Sequence, residues 1–295
     1  METIVSILFS GVFNASTLFL VAAGLQVVFG VQKVFNLACG SFYALGAYFG
    51  IVVVKSFVAA GFPKPLFIAP LIGAGLFLGL IGPIVERGLI KFVYDRDETF
   101  QLLLTFALVM MIEDVIKFIW GTSPQTTGGI DLIYGRLNLF GATVPVYNLI
   151  VILCSLIIAA LIGYILLHTK FGRIIRATAD KKEMGEALGI NMKMVYIKVF
   201  TLGTVLGTLG GALVIPATAV VSEMGIELIV LAFAVVVIGG LGSMKGAFIG
   251  ALIVGVLKSI AISTYPELEM LTIYIIVIVV LVIKPQGLFG GAKIQ

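Results

Sequence analysis

Five polar side chains interrupt long apolar stretches of the sequence and are candidates for contact with a polar solute. Hydroxyl and amide groups are costly in a hydrocarbon phase, so each indicates a functional contact or a hydrogen bond between helices. Such groups can line a path for a small polar or amphipathic solute; for threonine, a bond to a neighbouring helix is the commoner use. The candidates for a translocation path are Asn14, Gln26, Asn36, Ser41 and Thr204.

The most informative charged stretch, residues 169–198, suits the docking of a partner protein. We predict a short helix over 181–188, capped by Thr178 or Asp180, with one apolar stripe and Gly189 as its stop. Such a helix outside the membrane fits a partner's groove. The alternative is a lipid-surface helix or a solvated loop. The mixed charge of residues 169–198 argues against a patch for anionic lipid alone. The docking candidates are Arg173, Arg176, Asp180, Glu183, Glu186, Ala187, Leu188 and Gly189.

A cluster of glycines predicts a break between two helices. Gly239, Gly240, Gly242 and Ser243 stand at the end of a short apolar run, 228–241. The backbone groups freed by such a break must be satisfied by protein or by a water-lined cavity. Elsewhere glycines recur every four residues inside apolar stretches, a spacing that favours close helix packing.

These residues must be positioned by helices that cross a membrane. The chain has 295 residues, 60% hydrophobic and 12% charged, against about 45–50% and about 25% in soluble domains. Unbroken runs of roughly 20 apolar residues favour helices over the alternating strands of a barrel. We predict an all-α, polytopic membrane protein with eight or nine transmembrane or re-entrant helices in a single transmembrane domain, 1–295. The runs 37–54 and 228–241 are candidates for half-length or re-entrant helices. The apolar runs are 4–30, 37–54, 66–85, 99–120, 146–168, 194–220, 228–241, 246–264 and 270–283.

The distribution of Lys and Arg predicts the orientation of these helices. If residues 169–198 are cytoplasmic, alternation of the spans places most of the 19 basic residues on the cytoplasmic side. The excess of basic residues in cytoplasmic loops then puts the amino terminus outside and the carboxyl terminus in the cytoplasm. Residues 121–145 become an outer loop. The net charge of +4 is explained by this topology and gives no reason to expect a nucleic acid partner.

Motifs that would carry catalysis are missing from the sequence. It has no G-x-x-x-x-G-K-[ST], no G-x-S-x-G and no H-E-x-x-H, so we expect no enzymatic activity, cofactor or metal in this chain. Cys39 and Cys154 lie in different predicted spans and are expected to be packing residues. Glu113 and Lys117 stand four residues apart in the run 99–120, which favours an ion pair over a proton relay.

Three blocks of sequence follow one another in a recognisable order. They run from Gly24 to Gly40, from Phe171 to Asn191 and from Val237 to Gly246. Together they closely resemble the LivH-type permeases of branched-chain amino acid ABC transporters. The resemblance extends from about residue 10 to the tail that begins at Lys284, and it implies an ABC importer permease architecture.

The resemblance also implies a function and a set of partners. The chain would be the non-catalytic translocation subunit of an importer for branched-chain or other hydrophobic amino acids in a bacterial or archaeal cytoplasmic membrane. It implies alternating access driven by two ABC ATPase subunits, a second LivM-like permease chain (as a heterodimer, or a homodimer instead) and a periplasmic or surface-anchored solute-binding protein. Residues 176–191 would be the coupling loop that enters a groove on an ATPase subunit.

Other functions remain open at this stage. Permeases of the same kind serve urea and short amides. A stand-alone secondary transporter or channel would need coupling ions or a continuous pore, and would transport without ATPase subunits. A membrane scaffold that only recruits partners would leave the polar residues in the spans without a role.

Overall fold

The computed structural model describes residues 2–94, 96–139, 141–180, 185, 187, 189–284 and 287–289. A short antiparallel hairpin pairs Arg136 with Pro145 and Leu139 with Ala142. Short 3-10 turns lie at Lys64–Leu66, Ile90–Val93, Ile130–Tyr134 and Pro266–Leu268. The helices and strands are α1 (Glu2–Gln32), α2 (Ala38–Ala59), α3 (Ile68–Gly79), α4 (Gly82–Gly88), α5 (Glu98–Trp120), β1 (Arg136–Leu139), β2 (Ala142–Pro145), α6 (Val146–His168), α7 (Lys170–Asp180), α8 (Met192–Val214), α9 (Met224–Gly239), α10 (Met244–Thr264) and α11 (Glu269–Ile283).

The helices confirm the prediction of an all-α, polytopic membrane protein. Within the described part of the chain, six helical stretches are long and apolar enough to cross a membrane: α1, α2, Lys64–Val93, α6, α8 and α10. The segment 37–54 is not half-length, since α2 continues for 22 residues. By contrast α9 has 16 residues, about 24 Å of helix, which is short for a bilayer core of about 30 Å. The run 194–220 was predicted too long, because α8 ends at Val214.

The two ends of the long helix α1 mark the two ends of the bundle. At the Glu2 end, the Ser259 hydroxyl on α10 donates to the Ile7 carbonyl (2.8 Å). The Lys55 ammonium donates to the Gln125 side chain there. At the Gln32 end, the Gln32 amide donates to the Tyr196 carbonyl (2.9 Å). The 121–145 segment therefore lies at one end, and α7 and the break after α9 lie at the other.

Basic residues gather at the Gln32 end. Lys33 follows α1 directly, Lys245 lies in the first turn of α10, and Arg173 and Arg176 lie on α7. The Glu2 end carries fewer basic residues, among them Lys55 and Lys64. This asymmetry is the one that the orientation prediction uses; which end faces the cytoplasm remains a prediction.

The chain between α1 and α2 is not helical, and beyond the exposed Lys33 it is buried or half-buried. Lys33 ends α1 with a φ of +56°, and Asn36 is 1% exposed. The Phe35 carbonyl accepts from the Thr105 hydroxyl of α5 (3.2 Å). The Asn36 side chain accepts from the Ala38 N–H (3.1 Å). Irregular backbone is stable at membrane depth only where protein satisfies its polar groups, as these two bonds do.

The first turns of α2 and α9 meet in the interior of the bundle. A Cβ placed on Gly40 would overlap the Gly225 carbonyl oxygen, and a Cβ on Gly225 would lie 2.9 Å from the Gly40 carbonyl oxygen. The chain reaches α9 from the Glu2 end through residues 215–223, in which Val220 pairs with Gln125 by two backbone bonds of 2.9 Å. Both α2 and α9 therefore start inside the protein, each after a segment that is not helical.

Helix α8 forms the centre of the bundle. In its most apolar 18-residue stretch, 72% of the residues are buried. Helix α8 packs against α1, α2, α3 and α4. Glycines allow these approaches: a Cβ on Gly46 would overlap the Thr208 carbonyl oxygen, and a Cβ on Gly211 would overlap the Tyr43 carbonyl oxygen. The Thr208 hydroxyl also donates to the Gly75 carbonyl of α3 (2.7 Å). The core is thus held by close backbone contact, as expected where lipid provides no hydrophobic driving force.

A buried carboxylate ties α4 to α8 near the Gln32 end. Glu86 is 2% exposed and accepts from the Tyr94 hydroxyl (2.8 Å). The Tyr94 ring lies 4.8 Å from that of Tyr196. Burial, and then the charge of Glu86, raise the pKa of Tyr94, so the phenol stays protonated and donates.

Candidate translocation site

A cavity of about 210 Å³ lies toward the Glu2 end, between α1, α2, α9, α10 and the segment that follows α8. Its charged and amide groups come from three helices: Asn14 from α1, Glu227 from the first turn of α9 and Lys258 from α10. The rest of the wall is largely apolar, with three hydroxyl-bearing residues. The remaining lining residues are Phe13, Thr17, Leu18, Tyr43, Val214, Thr218, Ala219, Val221, Met224, Leu228 and Leu231.

Glu227 and Lys258 lie inward from the Glu2 end of the bundle. Because α9 starts inside the protein, Glu227 in its first turn lines the cavity, where it is exposed, and Lys258 is half-buried. Lys258 precedes the end of α10 at Thr264 by six residues, about 9 Å of helix. Charged groups among membrane-spanning helices are costly and mark solute pathways more often than packing. The cavity therefore combines one carboxylate, one ammonium and an aliphatic wall.

An ion pair connects α5 to the residue that precedes α9. The Lys117 ammonium on α5 lies 2.6 Å from the Glu113 carboxylate, so the predicted pair is present, and 3.9 Å from the carboxylate of Glu223, which directly precedes α9. Half-exposed pairs of this kind contribute little stability by themselves. Their geometry instead links α5 to the start of the helix that carries Glu227.

The five predicted path residues do not come together in one cavity. Asn14 lines the cavity at the Glu2 end. Asn36 holds the first turn of α2, and Ser41 is 4% exposed in the adjacent turn. The Thr204 hydroxyl donates to the Phe200 carbonyl of its own helix (2.9 Å) and lies against Gly82 of α4. Their role in a path remains a prediction, with Asn14 in the most open position.

Gln26, the fifth path candidate, binds the turn between α9 and α10. Its amide donates to the Gly240 carbonyl (2.8 Å), and its side-chain oxygen accepts from the Gly242 N–H (2.6 Å). Gly240 and Gly242 have φ values of +99° and +82°, which only glycine adopts at little cost. The backbone groups of this turn are thus satisfied by protein.

Two further contacts complete the same turn. The Ser243 hydroxyl accepts from the Gly246 N–H (3.1 Å) and begins α10. The chain also returns after α11: the Leu288 N–H donates to the Ile238 carbonyl (2.8 Å), and the Phe289 N–H donates to the Gly239 carbonyl (3.0 Å). Helices α1, α9 and α10 and the segment after α11 are therefore joined at one point of the Gln32 end.

The predicted docking residues divide between α7 and positions outside the described residues. Arg173 and Arg176 are exposed on α7, and the Arg176 guanidinium donates to the Leu166 and Leu167 carbonyls at the end of α6. Thr178 lies inside α7 and donates to the Ile174 carbonyl (2.8 Å), so it does not begin a later helix. Asp180 is the last residue of α7, and the helix start that it was predicted to cap lies outside the described residues.

The rest of the predicted docking helix is described only in part. Ala187 is helical and exposed, and Gly189 has a φ of +76°, a conformation suited to a helix stop. Residues 181–184, 186 and 188, and with them Glu183, Glu186 and Leu188, lie outside the described residues.

Glu227 was missed by sequence reasoning. It is a single acidic residue just before the apolar run 228–241, and a lone charge at the edge of a run normally marks the membrane surface. Lys258 is likewise a single basic residue, inside the apolar run 246–264. Their placement in one cavity depends on the start of α9 inside the protein, which no local pattern reveals.

The fold is that of a polytopic helical membrane protein, and a cavity at its Glu2 end is lined by a carboxylate and an ammonium. The sequence model of the family described as "Branched-chain amino acid transport system / permease component" matches residues 7–281, so the chain belongs to this family. The resemblance inferred from the three sequence blocks is confirmed.

Relatives of known name extend along nearly the whole chain. The permease LivH of Salmonella typhimurium, of a high-affinity branched-chain amino acid transport system, is 25% identical over 98% of this chain and 96% of the relative. A probable LivH of Methanocaldococcus jannaschii is 28% identical over 96% and 92%. The fructose import permease FrcC of Rhizobium meliloti is 26% identical over 92% and 78%.

Proposed function

We propose that this chain is the translocation subunit of an ATP-driven importer in a cytoplasmic membrane and that its solutes are branched-chain or similar hydrophobic amino acids. The observation that carries the proposal is the cavity that combines Glu227 and Lys258 with an aliphatic wall. An amino acid zwitterion presents an ammonium to Glu227, a carboxylate to Lys258 and an apolar side chain to Leu228 and Leu231. The names of the LivH relatives agree with this solute class.

The charges of the cavity favour a zwitterion over a neutral solute. Urea, a short amide or a sugar can form hydrogen bonds with Glu227 and Lys258 but brings no opposite charge to either, so it gains no Coulomb attraction beyond those bonds. An anion or a cation would bring an opposite charge to only one of the two. An amino acid with an aliphatic side chain matches both charges and the wall.

In an alternating-access mechanism, the two ends of the bundle bind different partners. We place the Glu2 end outside, where the 121–145 segment receives a solute-binding protein, and the Gln32 end in the cytoplasm, where α7 and the residues after it receive an ATPase subunit. Two ATPase subunits and a second permease chain, LivM-like or a copy of this one, complete the assembly. Helix α1 runs from the cavity to the turn at Gly240, so movement at the cytoplasmic end can reach the solute.

Removing either charge from the cavity is expected to impair transport. In the assembled transporter reconstituted into vesicles, Glu227→Gln and Lys258→Gln should each lower kcat/KM for leucine uptake by about tenfold to a hundredfold, since each removes a charged hydrogen bond of roughly 1.5–3 kcal/mol. Uptake of radiolabelled leucine measures the effect, and Glu267→Gln and Lys64→Gln, exposed charges at the same end, are the controls. Normal uptake by both cavity variants would contradict the assignment of the site.

A substitution on α7 tests whether this helix contacts an ATPase subunit. Arg173→Glu should abolish the ATP hydrolysis that substrate and binding protein stimulate. The substitution replaces an exposed guanidinium on α7 with a carboxylate, which would weaken the contact with the ATPase subunit without changing the fold. Arg173 is preferable to Arg176, whose guanidinium also holds the end of α6. Lys64→Glu, at the opposite end of the bundle, is the matched control. Transport by the chain without any ATPase subunit would instead favour a secondary transporter.

A further inference from the structure

A second cavity, of about 460 Å³, lies at the Gln32 end between α1, α6, α7 and the start of α10. Three side chains bring positive charge to it: Lys33, Arg176 and Lys245. Of the described residues that line this cavity, none is acidic. The rest of the lining is mostly apolar: Gln26, Val27, Gly30, Val31, Gly163, Leu166, Leu167, Ile175, Leu241, Gly242 and Met244.

Two glycines of this lining leave space instead of providing close contact. A Cβ on Gly30 of α1 or on Gly163 of α6 would meet no atom within 4 Å. Gly24, two turns before Gly30, is different, because a Cβ there would lie 2.7 Å from the Gly203 carbonyl oxygen. Helix packing therefore explains Gly24 but not Gly30 or Gly163. These two glycines keep a groove open between α1 and α6.

The three cations point to an anionic occupant. Lys245 lies in the first turn of α10, where the helix dipole disfavours a cation and favours an anion. Lys33 is exposed after the end of α1, with its ammonium 5.8 Å from the centroid of the Phe29 ring. Arg176 uses part of its guanidinium on the α6 carbonyls and retains further donors. Like charges around one cavity repel one another until an anion neutralises them.

The walls of the groove suit acyl chains. Leu167 is 62% exposed and Leu241 is 43% exposed, and both line the cavity beside the three cations. We propose that this cavity binds the phosphate of an anionic phospholipid, with the acyl chains lying along α1 and α6. Basic pockets between transmembrane helices at a membrane surface bind acidic headgroups in this way. A zwitterionic lipid fits less well, because its ammonium would face three cations.

Native mass spectrometry of the purified full-length chain tests the proposal. With phosphatidylglycerol, phosphatidylethanolamine or inorganic phosphate added at equal concentration, we expect a retained phosphatidylglycerol adduct at least about tenfold more abundant than either of the others. Two variants should each remove that preference: the double variant Lys33→Gln with Lys245→Gln, which removes charge, and Gly163→Leu, which fills the groove without changing charge. Lys55→Gln with Lys64→Gln, at the other end of the bundle, is the matched control and should retain it.

Each other result would overturn the proposal. Equal retention of the two lipids would indicate an unselective lipid surface, and phosphate binding equal to that of phosphatidylglycerol would indicate a site for free anions. Loss of the adduct in the control double variant would indicate general charge attraction. If the groove variants keep the adduct but no longer assemble with ATPase subunits, the cavity is a protein docking surface. Because thermal unfolding of each variant is measured in parallel, a folding defect is distinguished from loss of the site. The test is independent of the proposed solute.

Discussion

Gly211→Ala is expected to destabilise the bundle, whereas the same substitution at Gly73 is expected to leave it intact or slightly more stable. An added methyl group on Gly211 would overlap the Tyr43 carbonyl oxygen, so α2 and α8 would have to separate. Overpacking of this kind costs about 1–3 kcal/mol, and part of it is hidden by the better helix propensity of alanine, roughly 1 kcal/mol. Gly211→Val should therefore lose most of the folded protein.

Gly73 provides the matched control. It lies inside helix α3, and an added Cβ there meets nothing within 4 Å, so only the propensity gain remains. Thermal unfolding of the detergent-purified variants, followed by size-exclusion chromatography, measures the difference. If Gly211→Ala and Gly73→Ala unfold at the same temperature, the contact between α2 and α8 is looser than described.

Gln26→Leu is expected to abolish transport while most of the fold persists. It removes the bonds to the Gly240 carbonyl and the Gly242 N–H, so the Gly240 carbonyl keeps only the bond from the Ser243 N–H (3.2 Å). The loss of two hydrogen bonds costs about 1–3 kcal/mol. Because the turn at Gly240 joins α9, which carries Glu227, to α10, which carries Lys258, its distortion changes the positions of both charges in the cavity.

Two companion variants sharpen this prediction. Gln32→Leu makes the same change two turns later on α1, where the amide makes one bond, to the Tyr196 carbonyl, and should lower stability without abolishing uptake. Gln26→Glu retains the acceptor for the Gly242 N–H but loses the donor to Gly240, and should fall between. Uptake in reconstituted vesicles and thermal unfolding are both measured. Equal uptake by Gln26→Leu and Gln32→Leu would show that the turn has no special role.

Much of the fold could be predicted from local patterns. The apolar runs that became α1, α6 and α10 are long, and burial of apolar surface in lipid decides such helices almost independently of their neighbours. The glycine cluster at 239–242 likewise stands in the chain where α9 ends. The carboxyl ends of α2 and α8 were predicted less accurately. Helix α2 continues beyond its apolar run into exposed residues and ends at Ala59. Helix α8 ends at the buried Val214, where contacts with other segments decide which backbone groups stay helical.

The candidate site was predicted less well. Asn14, Gln26 and Asn36 were equivalent as polar residues within or beside apolar runs. Yet Asn14 lines a cavity, Gln26 holds a turn more than 200 residues away in sequence, and Asn36 accepts a bond from the first residue of α2. Polarity predicts that a buried side chain needs a partner. It does not predict which partner, because that depends on which helices meet.

The sequence by itself determined that the chain is a helical membrane protein, that it has many basic residues outside its apolar runs, and that it belongs to a permease family. These properties follow from composition, run length and motif order, each of which is local. Only the tertiary structure decided that α9 starts inside the bundle, that Glu227 and Lys258 share a cavity, and that Gly30 and Gly163 open a groove lined by three cations. These arrangements depend on backbone contacts between distant segments, which carry no local signal until the helices are packed.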